Sequence, residues 1–158
     1  MATRLAACVL IATMASACGV GTIEDGEPGT SPDAAHAEPR TVEIEGPDVL
    51  PHVQTFANAA CGATTACTIS TYAGHQPTAS RAIDILVSDV YGKRATDNNA
   101  LGDTVAAYAL AHQTDNAITY VIWRQRINSG DGWEPMEDRG SITQNHYDHV
   151  HVSFDATP

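Results

Sequence analysis

The sequence predicts an α+β fold, a small antiparallel sheet packed with helices, from three observations. The C-terminal run Asp148-His149-Val150-His151-Val152-Ser153-Phe154 alternates, so one face of a strand carries His149 and His151 while the other carries Val150, Val152 and Phe154. Arg81 to Ser88 alternates as well, placing Ile83, Ile85 and Val87 opposite Ala82, Asp84 and Leu86. Between these two strands, Asn99 to His112 sets Leu101, Val105, Tyr108 and Ala109 at a helical period with alanines around them.

The remaining elements follow from the same rules. Pro51 opens a helix with Val53, Phe56 and Ala60 at helical spacing. Cys67 to Ala73 alternates Ile69 and Thr71 against Thr68, Ser70 and Tyr72, a first strand. Ile118 to Ile127, rich in β-branched and aromatic residues, reads as one central strand that takes Trp123 into the core. Asn128 to Asn145 has no period and reads as a long loop of the kind that serves function. Strand, helix, strand, long loop, strand is an α+β order.

With 158 residues the chain holds one compact domain, expected at residues 51–158. Arg4 precedes an apolar run from Leu5 to Met14 that is too short to cross a bilayer. Ala15-Ser16-Ala17-Cys18 follows it, and residues 1–18 read as an export signal with a lipobox. Lipidation at Cys18 makes the product a membrane-anchored lipoprotein of the cell envelope; cleavage without lipid is the alternative. Residues 19–50 are rich in Gly, Pro, Ala and acidic side chains and poor in large apolar ones, the composition of a disordered acidic linker. That segment carries much of the net charge of −11, and no dense Lys/Arg run exists elsewhere, so nucleic acid is not the expected partner.

Cys61 and Cys67 are the two cysteines outside the export segment. In an oxidising compartment a close pair predicts a disulfide, with two buried thiols as the other reading.

Chemistry concentrates at the C-terminus. Single histidines such as His36, His52 and His112 carry little information, and His112 suits the end of a helix, where a cationic ring is favourable. His146, His149 and His151 are different, being three imidazoles within six residues on or beside a strand with a clean apolar face. With Asp148 beside them, and His75 and Asp84 available from earlier elements, they supply nitrogen and oxygen donors for a three-ligand catalytic zinc site.

His75 followed by Arg81-Ala82-Ile83-Asp84, then Asp148-His149-Val150-His151, resembles the H-x-x-G-x-A-x-D and H-x-H signatures of the LAS metallopeptidases. That group includes D-alanyl-D-alanine carboxypeptidases and murein endopeptidases with a Hedgehog/DD-peptidase-like fold. The stretch from Tyr120 to Ile127, then Gly132-Trp133 and His146 to Ser153, also looks like the C-terminal catalytic domains of secreted bacterial members. The resemblance covers roughly Thr68 to Phe154.

This resemblance implies zinc ligands at His75, Asp84 and His151, a catalytic base at Asp148, and a catalytic histidine at His149 that donates to the oxyanion or orients water. It implies hydrolysis of peptidoglycan stem peptides or their cross-links. Three departures stand out. His75 and Asp84 lie nine residues apart where the group has seven, and Ser80 stands at the glycine. An extended strand would point Asp148 away from His151, which puts it in a turn or bulge. Ala73 follows Ser70-Thr71-Tyr72 where many members carry arginine, a role left to Arg81, Arg124, Arg126 or Arg139. Trp133 and Arg139, with Arg81, are the expected substrate contacts. An inactive metal-binding module that holds wall peptide is the alternative, and a structural zinc site closed by His146 is another.

Overall fold

The computed structural model describes residues 41–95 and 99–158. The expected export signal, Cys18, His36 and most of the expected linker lie outside the described residues.

Strands are β1 (Ile44–Glu45), β2 (Ile69–Ser70), β3 (Ala82–Leu86), β4 (Ile118–Ile122), β5 (Arg126–Asn128), β6 (Trp133–Pro135) and β7 (His149–Phe154); helices are α1 (Pro51–Thr64) and α2 (Asn99–Ala111). A 3₁₀ turn, Ala79–Arg81, leads into β3. The seven strands form one sheet in the order β1-β2-β3-β7-β4-β5-β6. Only β1 and β2 run parallel; the other pairings are antiparallel. The expected α+β class is therefore the observed one.

The last strand in sequence occupies the middle of the sheet. Antiparallel pairing with β3 sets Asp84 opposite His151 and Ile83 opposite Val152. Pairing with β4 sets Ile122 opposite His151 and Val121 opposite Val152. Successive rows across the sheet therefore face opposite ways, with Val121, Val152 and Ile83 turned to the helices. Val150, Val152 and Phe154 are wholly buried in one core with Val53, Phe56 and Ala60 of α1 and Val105 and Ala109 of α2. Phe56 meets Phe154 edge-on at 5.4 Å. Full burial of side chains of this size contributes about 1.5–3 kcal/mol each, so the helix side of β7 anchors the strand whose other side bears the histidines.

Several local expectations need correction. The folded body begins before residue 51: β1 pairs with β2, and Val42, Ile44, Val49 and Leu50 pack on the core. Four apolar residues spaced through the acidic stretch suffice for this, which average composition conceals. The first strand shrinks from Cys67–Ala73 to Ile69–Ser70. Ile118 to Ile127 is a hairpin rather than one strand: Trp123 and Arg126 exchange backbone hydrogen bonds at 2.9 and 3.2 Å. Arg124 and Gln125 between them adopt φ of 53° and 58°. Two positive-φ residues give the twist of a tight hairpin, normally announced by Asn-Gly; without that signal the run read as continuous. Trp123 is buried as expected. Cys61 and Cys67 are disulfide-bonded, tying the last turn of α1 to the segment entering β2.

The hairpin tip also supports the long loop. Backbone N–H groups of Arg124 and Gln125 donate to the carbonyls of His146 and Asn145 at 2.9 and 2.8 Å, and the Met136 N–H donates to the Gln125 carbonyl at 2.9 Å. Tyr147 donates its hydroxyl to Gln125 Oε1 at 3.0 Å. Residues 136–147 are thereby held against the sheet, forming a wall beside the histidine face of β7.

Candidate metal centre

Strands β3, β4 and β7 and this loop enclose a cavity of about 550 Å³, lined among others by His75, Asp84, Tyr120, His146, His149 and His151. Asp84 and His151 reach it as cross-strand partners. His75 arrives from the loop after β2, in a turn closed by its N–H donating to the Tyr72 carbonyl at 2.9 Å, with the Tyr72 ring stacked on it at 4.4 Å.

Three atoms converge. His75 Nε2 lies 3.0 Å from Asp84 Oδ1 and 2.9 Å from His151 Nδ1, and His151 Nδ1 lies 2.9 Å from Asp84 Oδ1. The three residues form the one metal-compatible group among the described residues, and all are buried. Donors about 2.1 Å from a tetrahedral ion lie about 3.4 Å apart, so this triangle is within about half an ångström of the required spacing. The chain's own residues fit a small divalent cation.

Outer contacts set the chemistry of the triangle. Thr71 Oγ1 donates to the Ala79 carbonyl at 2.8 Å and therefore accepts from His75 Nδ1–H at 2.9 Å. Ser153 Oγ donates to the Gln76 carbonyl at 3.2 Å and accepts from His151 Nε2–H at 2.8 Å. Each hydroxyl takes up the ring hydrogen on the far side, which leaves the lone pair of each imidazole aimed at Asp84. Two lone pairs and a carboxylate oxygen about 3 Å apart repel one another unless a proton or a metal ion lies between them. Burial pushes the Asp84 carboxyl up; when a proton is held between the three groups, hydrogen bonding with His151 and His75, followed by His149, outweighs burial and holds the carboxyl well below the usual carboxylate range. Burial pushes the His151 imidazole down, favouring the neutral ring that a ligand must be.

His149 and Asp148 form a second pair. Nδ1 of His149 lies 2.6 Å from Asp148 Oδ1, and its Nε2 edge lies 3.4 Å from Asp84 Oδ1. Asp148 is wholly buried and outside the cavity lining. Its Oδ2 accepts from Gly92 N–H at 2.7 Å and from the Thr143 hydroxyl at 2.6 Å. It lies just before β7, as alternation required, yet both oxygens face away from the triangle. His149 stands between Asp148 and the triangle, contacting Asp148 Oδ1 through Nδ1 and approaching Asp84 Oδ1 through Nε2.

His146, outside the triangle, sits at the wall. Its φ is 53°, a conformation costing of the order of 1 kcal/mol for a side chain with a Cβ. The ring packs 4.8 Å from His149 and 5.6 Å from His151. Burial, followed by the neighbouring His149 and His151, pushes its imidazole down to about 3. It does not close the site as a fourth ligand.

Of the expected substrate contacts, Arg139 lines the cavity and has no carboxylate partner among the described residues. Arg81 and Trp133 do not line it. Arg81 ends the 3₁₀ turn that precedes β3, and Trp133 lies on edge strand β6 with the Arg126 guanidinium 5.1 Å from its ring. Sequence reasoning missed Thr71, Ser153, Thr143 and Tyr120. Ser153 alone was legible, two residues beyond His151 on the same face of β7.

Fold and site together define an α+β protein with a buried His-Asp-His centre open to a cavity. The chain matches the family described as VldE, C-terminal domain, over residues 45–147, and belongs to that family. The match ends before His149 and His151, and its description names no peptidase. A protein of Arthroderma benhamiae described as an uncharacterized secreted protein is 41% identical over 59 residues, covering 32% of this chain and 24% of that protein. No solved structure gives a significant match.

Proposed function

We propose that the protein is an exported zinc metallopeptidase that hydrolyses peptide bonds of peptidoglycan stem peptides, as a carboxypeptidase or an endopeptidase. The observation carrying this reading is the triangle of His75 Nε2, Asp84 Oδ1 and His151 Nδ1, with both imidazoles held in the ligand tautomer and a cavity on the open side. A structural site closes with four protein ligands, whereas three ligands and an open position suit catalysis.

His75, Asp84 and His151 would hold the ion. A divalent ion there supplies a Lewis acid and a water made nucleophilic at neutral pH. The chain supplies the proton handling. Asp148 orients His149 through Nδ1, leaving Nε2 toward the centre to take and return a proton. Thr143 and Gly92 keep Asp148 ionised and in place. Arg139 offers a cation for a substrate carboxylate.

Two imidazoles, one carboxylate and an open position suit zinc among the divalent ions that such a set accepts. Export fits the Cys61–Cys67 bond and the secreted relative. An anchor at Cys18 fits the lipobox-like Ala15-Ser16-Ala17-Cys18; Cys18→Ser should move the protein from the membrane to the soluble fraction.

The deciding experiment is digestion of purified muropeptides by zinc-loaded protein, with mass assignment of products. Ala73, standing where the resembling enzymes carry arginine, favours a second reading: a module that holds wall peptide without cutting it. Stoichiometric zinc and muropeptide binding without products would establish that reading.

A further inference from the structure

His146 is buried, with 8% of its surface exposed, and its Nδ1 is closed off from solvent with no hydrogen-bond partner among the described residues. Buried imidazole nitrogens are ordinarily paired, and an orphaned N–H is rarer than an orphaned lone pair. A charged ring would leave a buried N–H without an acceptor, so the ring is neutral. The same reasoning places its single hydrogen on Nε2. The ring lines the cavity, so the edge it offers to a ligand is the Nε2–H edge.

The backbone holds it there. The His146 N–H donates to the Thr143 carbonyl at 3.0 Å, and its carbonyl accepts from the Arg124 N–H at 2.9 Å, with φ at 53°. His146 is thus kept in an unfavourable backbone region with Nδ1 closed off and unsatisfied, while its ring lines the cavity beside His149 and His151.

We infer that His146 is a substrate-contacting hydrogen-bond donor, presenting a neutral Nε2–H to the carbonyl oxygen of the bound peptide and to the oxyanion that this oxygen becomes. A neutral donor suits that position. It stabilises developing negative charge without surrendering its proton, and without placing a second cation against the metal. The identity of the acceptor rests on the peptidase reading; the tautomer does not.

The test uses the mature, zinc-loaded protein as wild type, His146→Ala and His146→Gln, the last retaining an N–H at the Nε2 position. Long-range ¹H–¹⁵N correlation of the imidazoles should show His146 as the neutral Nε2–H tautomer, and an Nδ1–H or a charged ring would overturn the inference without reference to any substrate. A phosphinate analogue of an alanyl-alanine dipeptide, which carries a tetrahedral oxyanion, should bind His146→Ala about 10²- to 10³-fold more weakly than wild type at equal zinc content. His146→Gln should recover part of that loss. Wild-type affinity in His146→Ala, or loss of zinc in proportion to affinity, would overturn the assignment of a donor. Wild-type protein that shows the Nε2–H tautomer but neither binds the phosphinate nor cleaves peptide would overturn the carbonyl and oxyanion assignment and, with it, the peptidase reading.

Discussion

His149 Nδ1 lies 2.6 Å from Asp148 Oδ1, so two consecutive residues form a buried carboxylate–imidazole pair. Neighbours in a strand point to opposite faces, and the contact exists because Asp148 precedes β7. The carboxylate accepts from Gly92, Thr143 and His149 together. Asp148→Asn replaces one of these acceptor oxygens by a donor and spoils the orientation of His149. The variant should keep stoichiometric zinc and lose about 10²- to 10⁴-fold in turnover. Elemental analysis beside muropeptide hydrolysis checks this, and zinc loss would make Asp148 essential to the centre itself.

Zinc binding should displace protons. The triangle tolerates its close acceptors only with a cation among them, so the metal takes the place of a proton, and because burial lowers the His151 imidazole, affinity should rise with pH below the usual imidazole range and level off above it. Calorimetric titration in two buffers of different ionisation enthalpy measures the number released. His75→Ala, Asp84→Asn and His151→Ala should each abolish tight binding.

Gly102 on α2 faces the Trp123 indole so closely that an added Cβ would lie 2.1 Å from its Cζ2. Alanine favours the helix by about 1 kcal/mol, whereas overpacking a buried ring costs about 1–3 kcal/mol. The indole cannot yield without loosening its 2.8 Å bond from Nε1 to Asp103 Oδ1. Gly102→Ala should therefore be net destabilising, with a lower urea midpoint and altered tryptophan emission.

The Tyr91 phenol is pushed up to about 12 by burial, partly offset by its hydrogen bond with Ser70. Above pH 10 the unfolded chain ionises this group while the folded chain keeps its proton. Its contribution to stability is thus full below pH 10 and declines as pH rises from about 10 toward about 12. Tyr91→Phe should flatten that part of a pH–melting curve, and ultraviolet titration should show a phenol ionising near 12 in the wild type that the variant lacks.

The alternation of β7 and β3 made their two faces legible, because period-two patterning survives any choice of partner strand. Position was another matter. Nothing local places β7 between β3 and β4, since that order depends on which apolar faces can share the helices. The turn at Arg124 and Gln125 was hidden because neither residue advertises positive φ. The trio His75, Asp84 and His151 was legible through its resemblance to a known motif and Ser153 through its parity with His151 on β7, while the hydroxyl of Thr71 had no signal. His146 was visible as part of a histidine cluster, but its orphaned nitrogen depends on how residues 136–147 close over the sheet.

Strand β7 alternates between two occupations, with odd-numbered His149 and His151 in the cavity and even-numbered Val150, Val152 and Phe154 among the helices. Gain or loss of one residue within it would exchange the two sets beyond the lesion, sending imidazole into hydrocarbon and valine into the cavity. Length changes in this strand are therefore tolerable only in pairs. Across homologues, spacing within His149-Val150-His151-Val152-Ser153-Phe154 should be rigid even where the wall facing it is not.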